Sequence, residues 1–543
     1  MLLVDRLHCT HTMDHPMETK EELEELKEPD TTRARCLFPM GYFASVEWAD
    51  AEHALTLVAS CRDATSLWRT IAFATPDPRC VGGPSDDDFE PVLDALGCSG
   101  GSFEDMFTVI VPGMATLAAR APLLFGREDD ALLSTTTTEA AEALASSVRL
   151  LPSGVSGTVS LSRAQVASLL AMSALGLGLP AEAYVRGDMS DGTYPFPSML
   201  HLIWPKRGCD FVPNVEKVKC FCHYFRSALT NDESNDSNDS DDDKITITRV
   251  VDSSLETTAS SGSNEEEGLN FWAASRAPLC ALKVQPLHTS IDDQEGNGIV
   301  RVDFANAQIG GGVFLSTPGS TAQEEITFAT HPELCVSKLL CEGMGDGEAI
   351  LLRGARHITK HTGYLASFQC AGPVEGNVPT DVAARWLAID ALRYEDQGPA
   401  SQLLNFQKTR RELHKAWTGF RGAVLHREIG AAAETIVATG MWGCGAFNGD
   451  PEVKALVQLL AASQAGVSQV LFHAWDDAAT ADGLMRLSEV LPGVSVGQLW
   501  RVMVAVAAEL TVTCPRREGA FLKAVVVRLE KERSDREKRE TGR

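Results

Sequence analysis

Residues 299–325 read IVRVDFANAQIGGGVFLSTPGSTAQEE, and this stretch decides the fold. The apolar run over 299–304 predicts a strand, and the three glycines at 310–312 predict a loop that can take positive φ and approach a ligand closely. Successive N–H groups in such a loop bind anions. Gln323, Glu324 and Glu325 follow after a ten-residue spacer, at the start of a predicted helix. A phosphate-binding loop beside paired carboxylates indicates hydrolysis of a phosphorylated sugar.

The same residues also allow a plain structural interpretation. Thr321 and Glu324 fit a capping box, in which Glu324 only closes a helix N-terminus. A run of three glycines is by itself often a flexible turn. The combination, in this order and together with Asp303 and Asn306, favours a catalytic site.

A second glycine-rich loop, GMWGCGAFNGDP over 440–451, follows a predicted strand and opens a predicted helix. Asp450 suits the N-cap position and Pro451 the first helical position. Free N–H groups and the helix dipole both favour a diphosphate there. Ligands of open α/β sheets bind beyond the carboxyl ends of the strands, so we expect the two loops to meet at one cleft. The alternative is a tight, closely packed turn.

The composition excludes several classes of protein. With a net charge of −26, the chain should not bind nucleic acid by bulk electrostatics. The 14 cysteines include no Cys-x-x-Cys pair, which disfavours structural zinc and fits a reducing compartment. We expect no signal peptide, no apolar stretch long enough to span a bilayer and hence no membrane partner.

Patterns along the chain predict an α/β catalytic domain preceded by a mostly α-helical accessory domain. Strands and helices alternate from about residue 270, whereas residues 35–225 show mainly helical spacing, for example after Ser162. The run over 231–243 is too polar and acidic to form a core. The predicted segments are a disordered or loosely helical tail over 1–34, the helical domain over 35–228, an acidic low-complexity insertion over 229–268, the catalytic domain over 269–515 and a charged tail over 516–543.

Both glycine motifs resemble those of the poly(ADP-ribose) glycohydrolase family, which combines a triple glycine and Gln-Glu-Glu with a Gly-x-Trp-Gly-Cys-Gly-Ala-Phe-x-Gly-Asp loop. Weaker similarities to its helical domain lie at 161–166 and 195–225. The spacer before Gln323 is longer than usual for the family, and Met441 replaces a common Asn. The resemblance implies a macrodomain-like fold and hydrolysis of the ribose–ribose O-glycosidic bonds of poly(ADP-ribose), without metal or other cofactor.

The resemblance also implies roles for individual residues. Glu325 would be the general acid and base, and Glu324 would orient ribose hydroxyls. Asp303 and Asn306 would hold the sugar and the two glutamates. Tyr364 and Trp475 would lie over the nucleoside, Trp475 standing one position away from a family Phe. The alternative for both aromatics is core packing. The remaining implied substrate-binding residues are Ile291, Asp292, Asn306, Gly310, Gly311, Gly312, Gln323, Gly443, Cys444, Gly445, Ala446 and Phe447.

Other functions remain open from the sequence. A non-catalytic ADP-ribose reader would keep both glycine loops and lose the second glutamate, which this chain retains as Glu325. A hydrolase of mono-ADP-ribosylated proteins would have a cleft closed to the polymer. An acidic scaffold protein would leave both glycine loops unexplained. The resemblance implies poly(ADP-ribose) chains and their carrier proteins as partners, and the nucleus as location, with the cytoplasm as an alternative.

Overall fold

One eight-stranded mixed β-sheet organises the part of the chain that the structure describes. The structure is a computed structural model, and its described residues are 46–62, 66–67, 70, 106–125, 149–176, 211–231, 244–252, 265–292, 294, 299–315, 321–375, 385–395, 398–426, 434–513 and 519–540. The predicted tail over 1–34 and the acidic run over 232–243 lie outside these residues.

The strands of this sheet come from the whole described chain. In spatial order they are β1 (Gly157–Ser162), β2 (Lys244–Val251), β5 (Glu348–Arg353), β8 (Arg385–Ala388), β4 (Ile299–Asp303), β9 (Ile436–Gly440), β10 (Gln469–His473) and β3 (Ala281–Val284). The strands from β8 to β3 pair in parallel, whereas β1, β2, β5 and β8 pair antiparallel. A separate hairpin consists of β6 (Thr359–Thr362) and β7 (Gln369–Pro373).

The parallel strands determine where ligand loops can lie. β4 and β9 are neighbours and run in the same direction, so the loops that follow them leave the same edge of the sheet. The first glycine-rich loop follows β4, and the second follows β9. The expected convergence on one edge is therefore confirmed by the strand order.

Helices cover the sheet, and the described helices begin and end as follows: α1 (Val46–Ser60), α2 (Val111–Ala119), α3 (Ala121–Phe125), α4 (Arg163–Ala174), α5 (Phe211–Asn231), α6 (Glu265–Ala274), α7 (Gln323–Thr330), α8 (Val336–Leu340), α9 (Pro399–Leu404), α10 (Phe406–Leu425), α11 (Pro451–Ala465), α12 (Ala478–Val490), α13 (Val496–Thr513) and α14 (Ala520–Glu540). Shorter turns stand beside them at Met106–Ile110, Pro332–Cys335 and Leu365–Ser367. The predicted Ser162 cap is confirmed, with the hydroxyl accepting from the Gln165 N–H.

Each face of the sheet is buried under its own core. Because side chains alternate along a strand, Ile350 and Leu352 of β5 face the core formed with α1–α5 and α7, while Ala349 faces the core formed with α9–α14. Trp386 of β8 likewise faces the first of these cores, and Leu387 faces the second. The predicted α/β class with a helical N-terminal region is confirmed, and the helical region shares a core with the sheet.

Two predicted segments differ from the structure. The insertion predicted over 229–268 contains β2, whose Ile245 and Ile247 are fully buried while Thr246 and Thr248 bond across to β1. The charged tail predicted over 516–543 contains α14, whose Phe521 is fully buried. Both predictions were wrong at these places because short apolar patterns stand next to strongly charged runs.

One described stretch, Met106–Phe125, is long and apolar enough to cross a membrane by length and composition, with a mean hydropathy of 1.5. The expectation of no apolar stretch long enough to span a bilayer is wrong for this stretch. Ile110, Val111 and Ala118 of this stretch are almost completely buried in the core beside α4, so this side of it packs in that core. Leu123 is exposed.

Candidate active site

Asp303 ends β4 at the edge where both glycine loops begin. Its side chain is fully buried, and neither carboxyl oxygen has a hydrogen-bond partner among the described residues. Burial raises the pKa of Asp303 well above its ordinary value, and the charges of Glu325 and Asp292 raise it further. The structure thus brings this predicted residue next to the paired glutamates.

Glu324 lies in the first turn of α7 and is bound by the backbone of the first glycine loop. Its Oε1 accepts from the Gly310 N–H at 2.5 Å, and its Oε2 accepts from the Asn306 N–H at 2.9 Å. Burial and the charges of Asp303 and Glu325 raise the pKa of Glu324, whereas the Asn306 N–H and Lys338 oppose this rise. The carboxylate is therefore held rigidly in a site that disfavours its charge.

Glu325 is bound by the same loop and by its own helix. Oε1 accepts from the Gly312 N–H at 2.9 Å, and Oε2 accepts from the Ala322 N–H at 3.0 Å. A Cβ at Gly311 would overlap an oxygen of Glu325 and lie 2.6 Å from an oxygen of Glu324. Gly311 is therefore required so that the backbone can approach both carboxylates.

The first glycine loop holds carboxylates where the sequence analysis predicted a phosphate. The Gly310 and Gly312 N–H groups donate to the two glutamates, and the Gly311 N–H donates to the Gln308 carbonyl at 3.0 Å. An N–H cradle binds whichever anion is nearest, and here that anion is a side chain of the same chain. The alternative interpretation, in which Glu324 caps the helix, does not hold, because the N–H of the N-cap residue Ala322 donates to Glu325.

Two buried lysines bind the carbonyl side of this loop, and the sequence analysis missed both. Lys338 of α8 donates to the Ile309 and Gly311 carbonyls, each at 3.0 Å. Lys217 of α5 donates to the Gly312 carbonyl at 3.2 Å and the Leu315 carbonyl at 3.3 Å. Burial lowers the pKa of Lys217 to about 7, against the opposing charge of Glu325. The available signal was a lysine inside an apolar helical run.

Gln323 and Asn306 join the strand end to the helix. The Gln323 Oε1 accepts from the Phe304 N–H at 2.9 Å. The Asn306 Oδ1 accepts from the Gln308 N–H at 2.9 Å, which shapes the turn into the glycine loop. Both predicted substrate-binding side chains therefore make contacts that position the loop and α7.

Ile291 and Asp292 lie just before β4. Ile291 is buried in a small cluster with Ala438 of β9 and Leu471 of β10. The Asp292 carboxylate accepts from the Thr327 hydroxyl of α7 at 3.3 Å. Of this predicted adenine-binding pair, the acidic side chain thus lies beside α7, and the apolar one packs against β9 and β10.

The second glycine loop joins β9 to α11 as predicted. Asp450 is the N-cap of α11, and its Oδ1 accepts from the Glu452 and Val453 N–H groups, each at 3.1 Å. Trp442 is fully buried, and its indole N–H donates to the Ile389 carbonyl at 2.9 Å. These contacts fix the loop at the N-terminus of a 15-residue helix.

The middle of this loop is open to a ligand. The Gly445 and Ala446 N–H groups donate to no described residue, and both residues are exposed. A Cβ at Gly445 would have no neighbour within 4 Å. Positive φ values in the loop belong to Gly443, at +72°, and to Asn448, at +55°. Cys444 and Phe447 are partly buried and support the open segment.

Trp475 and Tyr364 are the predicted nucleoside-binding aromatics, and both are about half exposed, which contradicts core packing. Trp475 follows β10 with a φ of +54°, and its carbonyl accepts from the His288 N–H at 2.8 Å. A large residue keeps such a φ only where its surroundings impose it. Burial and the charge of Glu325 raise the pKa of Tyr364, and its hydroxyl bonds to the Gln323 backbone. Tyr364 therefore adjoins the glutamates.

Metal ligands do not cluster in the described part of the chain, where no group of three or more His, Cys, Asp or Glu side chains could hold an ion. The buried carboxylates at Glu324 and Glu325 are already bound by backbone N–H groups. Metal independence stays a prediction.

Comparison with protein families identifies two matching regions. Residues 269–482 match the poly(ADP-ribose) glycohydrolase macrodomain-fold model, and residues 101–249 match the helical-domain model of the same family. Together they cover about two thirds of the chain. The chain belongs to the poly(ADP-ribose) glycohydrolase family. It is thus a hydrolase of the glycosidase class that acts on poly(ADP-ribose).

Individual relatives agree with this assignment. A probable poly(ADP-ribose) glycohydrolase 2 of Arabidopsis thaliana is 28% identical over 460 residues, which cover 75% of this chain and 79% of the relative. Poly(ADP-ribose) glycohydrolase 1 of the same plant is 26% identical over 81% of this chain and 84% of the relative. Poly(ADP-ribose) glycohydrolase 1 of Caenorhabditis elegans is 36% identical over 30% of this chain and 22% of the relative.

A solved structure in the comparison is the poly(ADP-ribose) glycohydrolase of Deinococcus radiodurans in complex with ADP-ribose. It is 16% identical and covers 41% of this chain and 92% of that chain, with a TM-score of 0.25. This overlap is too low to add to the assignment, which depends on the family matches.

Proposed function

We propose that the protein cleaves the ribose–ribose O-glycosidic bonds of poly(ADP-ribose) and releases ADP-ribose, with Glu325 as general acid and base. The observation that carries this proposal is the pair Glu324 and Glu325, held by one glycine loop at the sheet edge from which the second glycine loop also leaves. Buried carboxylates beside a helix N-terminus suit a phosphorylated sugar.

The proposed chemistry follows the general scheme for glycosidases. The Glu325 carboxyl donates its proton to the oxygen of the leaving ribose as the glycosidic bond breaks, and its carboxylate then takes a proton from the attacking water. Glu324 accepts hydrogen bonds from the ribose hydroxyls. Burial and the charges of neighbouring carboxylates raise the pKa of Asp303 and of Glu324, so these two carboxyls retain protons more readily than free carboxyls do.

The rest of the substrate has proposed contacts at the same edge. The diphosphate binds the N–H groups of Gly445 and Ala446 at the N-terminus of α11, where the helix dipole favours negative charge. The adenine stacks on Trp475, whose exposed ring offers the required aromatic face. Asp292 accepts from the exocyclic amine of the base.

Incubation with purified poly(ADP-ribose), followed by chromatography, tests this function. We expect free ADP-ribose to accumulate, and we expect the same rate when EDTA is present. A protein that binds ADP-ribose and leaves the polymer intact would be a reader. Release of ADP-ribose only from mono-ADP-ribosylated proteins would indicate the other alternative. Activity that EDTA abolishes and a divalent ion restores would contradict the metal-free mechanism.

We also propose a nuclear location, with a role in the response to DNA damage, and carrier proteins modified by poly(ADP-ribose) as partners. The support is that the substrate is made mainly in nuclei. The net charge of −26 supports the absence of bulk nucleic-acid binding. Imaging of a fluorescent fusion tests the location, and a gel-shift assay with DNA tests the second expectation.

A further inference from the structure

Lys338 stands behind the first glycine loop, on the side opposite the two glutamates. It lies in α8, only 9% of its surface is exposed, and its Nζ is 3.0 Å from the carbonyl oxygens of both Ile309 and Gly311. Burying an amine is costly unless hydrogen bonds or charges compensate. Nothing in the sequence motifs identifies this residue.

The two carbonyls belong to the two peptide groups that bind the glutamates. The Ile309 carbonyl shares its peptide group with the Gly310 N–H, which donates to Glu324. The Gly311 carbonyl shares its peptide group with the Gly312 N–H, which donates to Glu325. Because a peptide group is planar and its N–H and C=O point in opposite directions, fixing one end fixes the other.

We propose that Lys338 is a positioning residue for catalysis: through these two peptide groups it holds Glu324 and Glu325 in the geometry that the reaction needs. This inference rests on the proposed function, because it assigns Lys338 a role in the reaction of those glutamates. Hydrogen bonds to a charged donor polarise each peptide, which strengthens the bond that its N–H makes to the carboxylate.

The charges around the site are consistent with this role. Lys338 opposes the rise in the pKa of Glu324, which burial, Asp303 and Glu325 cause. Burial lowers the pKa of Lys338 itself, and the charges of Glu324, Cys335 and Glu325 raise it. The ionisable groups that face this cluster from neighbouring elements are Asp303 of β4, Lys217 of α5, Tyr364 and, through Asp303, Asp292.

A purely structural role makes a different prediction, and the chain offers a matched control. Lys415 of α10 is also buried, and its Nζ donates to two backbone carbonyls, those of Gly345 and Glu348. It also forms an ion pair with Asp390 at 2.7 Å. Neither carbonyl belongs to the glycine loop. Lys415→Met therefore removes a buried amine without touching the proposed chain of contacts.

The test compares Lys338→Met, Lys338→Gln and Lys338→Arg with Lys415→Met, by kcat and KM against pH and by calorimetry with ADP-ribose. Removing the charge raises the pKa of Glu324 further, so the acidic limb of the pH profile should move to higher pH in the Met and Gln variants. Their kcat should fall at least about tenfold, as expected when charge-assisted hydrogen bonds are lost. ADP-ribose affinity should change little.

Lys338→Arg should keep the acidic limb in place, and Lys415→Met should lower the melting temperature with an unchanged pH profile. Lys338→Gln keeps amide donors near the carbonyls, so it provides the measurement if Lys338→Met does not fold. A parent-like kcat and pH profile in Lys338→Met or Lys338→Gln would overturn the inference. A lower melting temperature of the Lys338 variants without a change in kcat or in the pH profile, as expected for Lys415→Met, would also overturn it. Full activity of Glu325→Gln would instead overturn the proposed function.

Discussion

At the scale of single residues, the three acidic side chains of the site differ in what holds them. Glu324 and Glu325 accept backbone hydrogen bonds on both oxygens, whereas Asp303 is buried without a partner in the described structure. An unpaired buried carboxyl costs free energy. The site therefore places a destabilising group where the resemblance to the family predicts chemistry.

Asp303→Asn should make the protein more stable at neutral pH while it lowers activity. Because the pKa of Asp303 is raised, the folded protein binds its proton more tightly than the unfolded chain does. The free energy of unfolding therefore falls as the pH rises from about 3.9 through the folded pKa. Without this charge, the free energy of unfolding should depend less on pH, and it should be about 1 kcal/mol or more higher than in the parent at neutral pH.

Calorimetric melting of the parent and of Asp303→Asn across a pH series measures this effect. Asp535→Asn, at an exposed position of α14, serves as the control and should leave the curve unchanged. The account is contradicted if Asp303→Asn melts lower than the parent at neutral pH, or if it keeps the parent's pH dependence.

Gly445→Val should weaken ADP-ribose binding at least about tenfold without unfolding the protein. A side chain at this position meets no protein atom within 4 Å, so it enters the space beside the free N–H groups. Isothermal calorimetry measures the affinity. Gly398→Val is the matched control, since a Cβ at Gly398 also has open space. Equal affinity of Gly445→Val and the parent would mean that the diphosphate binds elsewhere.

Glu324, Glu325, Asp303 and both glycine loops could be recognised from the sequence as site residues, because their residue types and their order along the chain are specific. Lys338 and Lys217 could not be predicted, since a lysine in an apolar helix usually extends its amine to solvent. The hydrogen-bond partners of the Gly310 and Gly312 N–H groups could not be predicted either. A glycine-rich loop that binds carboxylates has the same sequence pattern as one that binds phosphate.

At the scale of elements, hydrophobic periodicity located most strands and helices of the catalytic region. It failed where a short pattern adjoins a charged run, as at β2 (Lys244–Val251) and at α14 (Ala520–Glu540). Periodicity alone also does not reveal the break between α9 and α10 at Asn405, where the side chain caps α10 by accepting from the Lys408 N–H. Side chain–backbone bonds of this kind are invisible to periodicity.

Shortening the acidic run over 232–243 should leave the melting temperature and kcat almost unchanged. Its composition cannot contribute to a core, and loop length changes stability only slowly. The replacement is a short Gly-Ser linker between the end of α5 and the start of β2, so that both elements remain. A matched linker that replaces part of β2 is the control and should abolish folding. A large loss of activity from the first change would contradict the account.

At the scale of the whole molecule, the helical region and the sheet depend on each other. β1 and β2 extend the sheet beyond β5, and Trp386 and Ile350 are buried in the core that the N-terminal helices complete. Lys217 of α5 also binds the first glycine loop. This dependence could not be read from the sequence, because strand order and long-range packing leave no local pattern.

A fragment that starts at residue 269 should therefore aggregate or unfold and show no activity, although it contains both glycine loops. It would expose the sheet face around Trp386 and lose β1 and β2, the two strands at one end of the sheet. A chain that lacks only residues 1–34 is the control. We expect it to have normal activity, because the composition of residues 1–34 predicts a loose tail. Gel filtration, circular dichroism and the polymer assay measure the outcome. A monomeric, active fragment would contradict the shared core.

The most direct test of the central claim is the release of ADP-ribose from purified poly(ADP-ribose) by Glu325→Gln. The amide keeps the shape of the side chain and cannot donate and recover a proton, so turnover should fall at least about a hundredfold. ADP-ribose binding and the melting temperature should persist, and Glu509→Gln on the surface should behave like the parent. Near-normal release of ADP-ribose by Glu325→Gln would contradict the account.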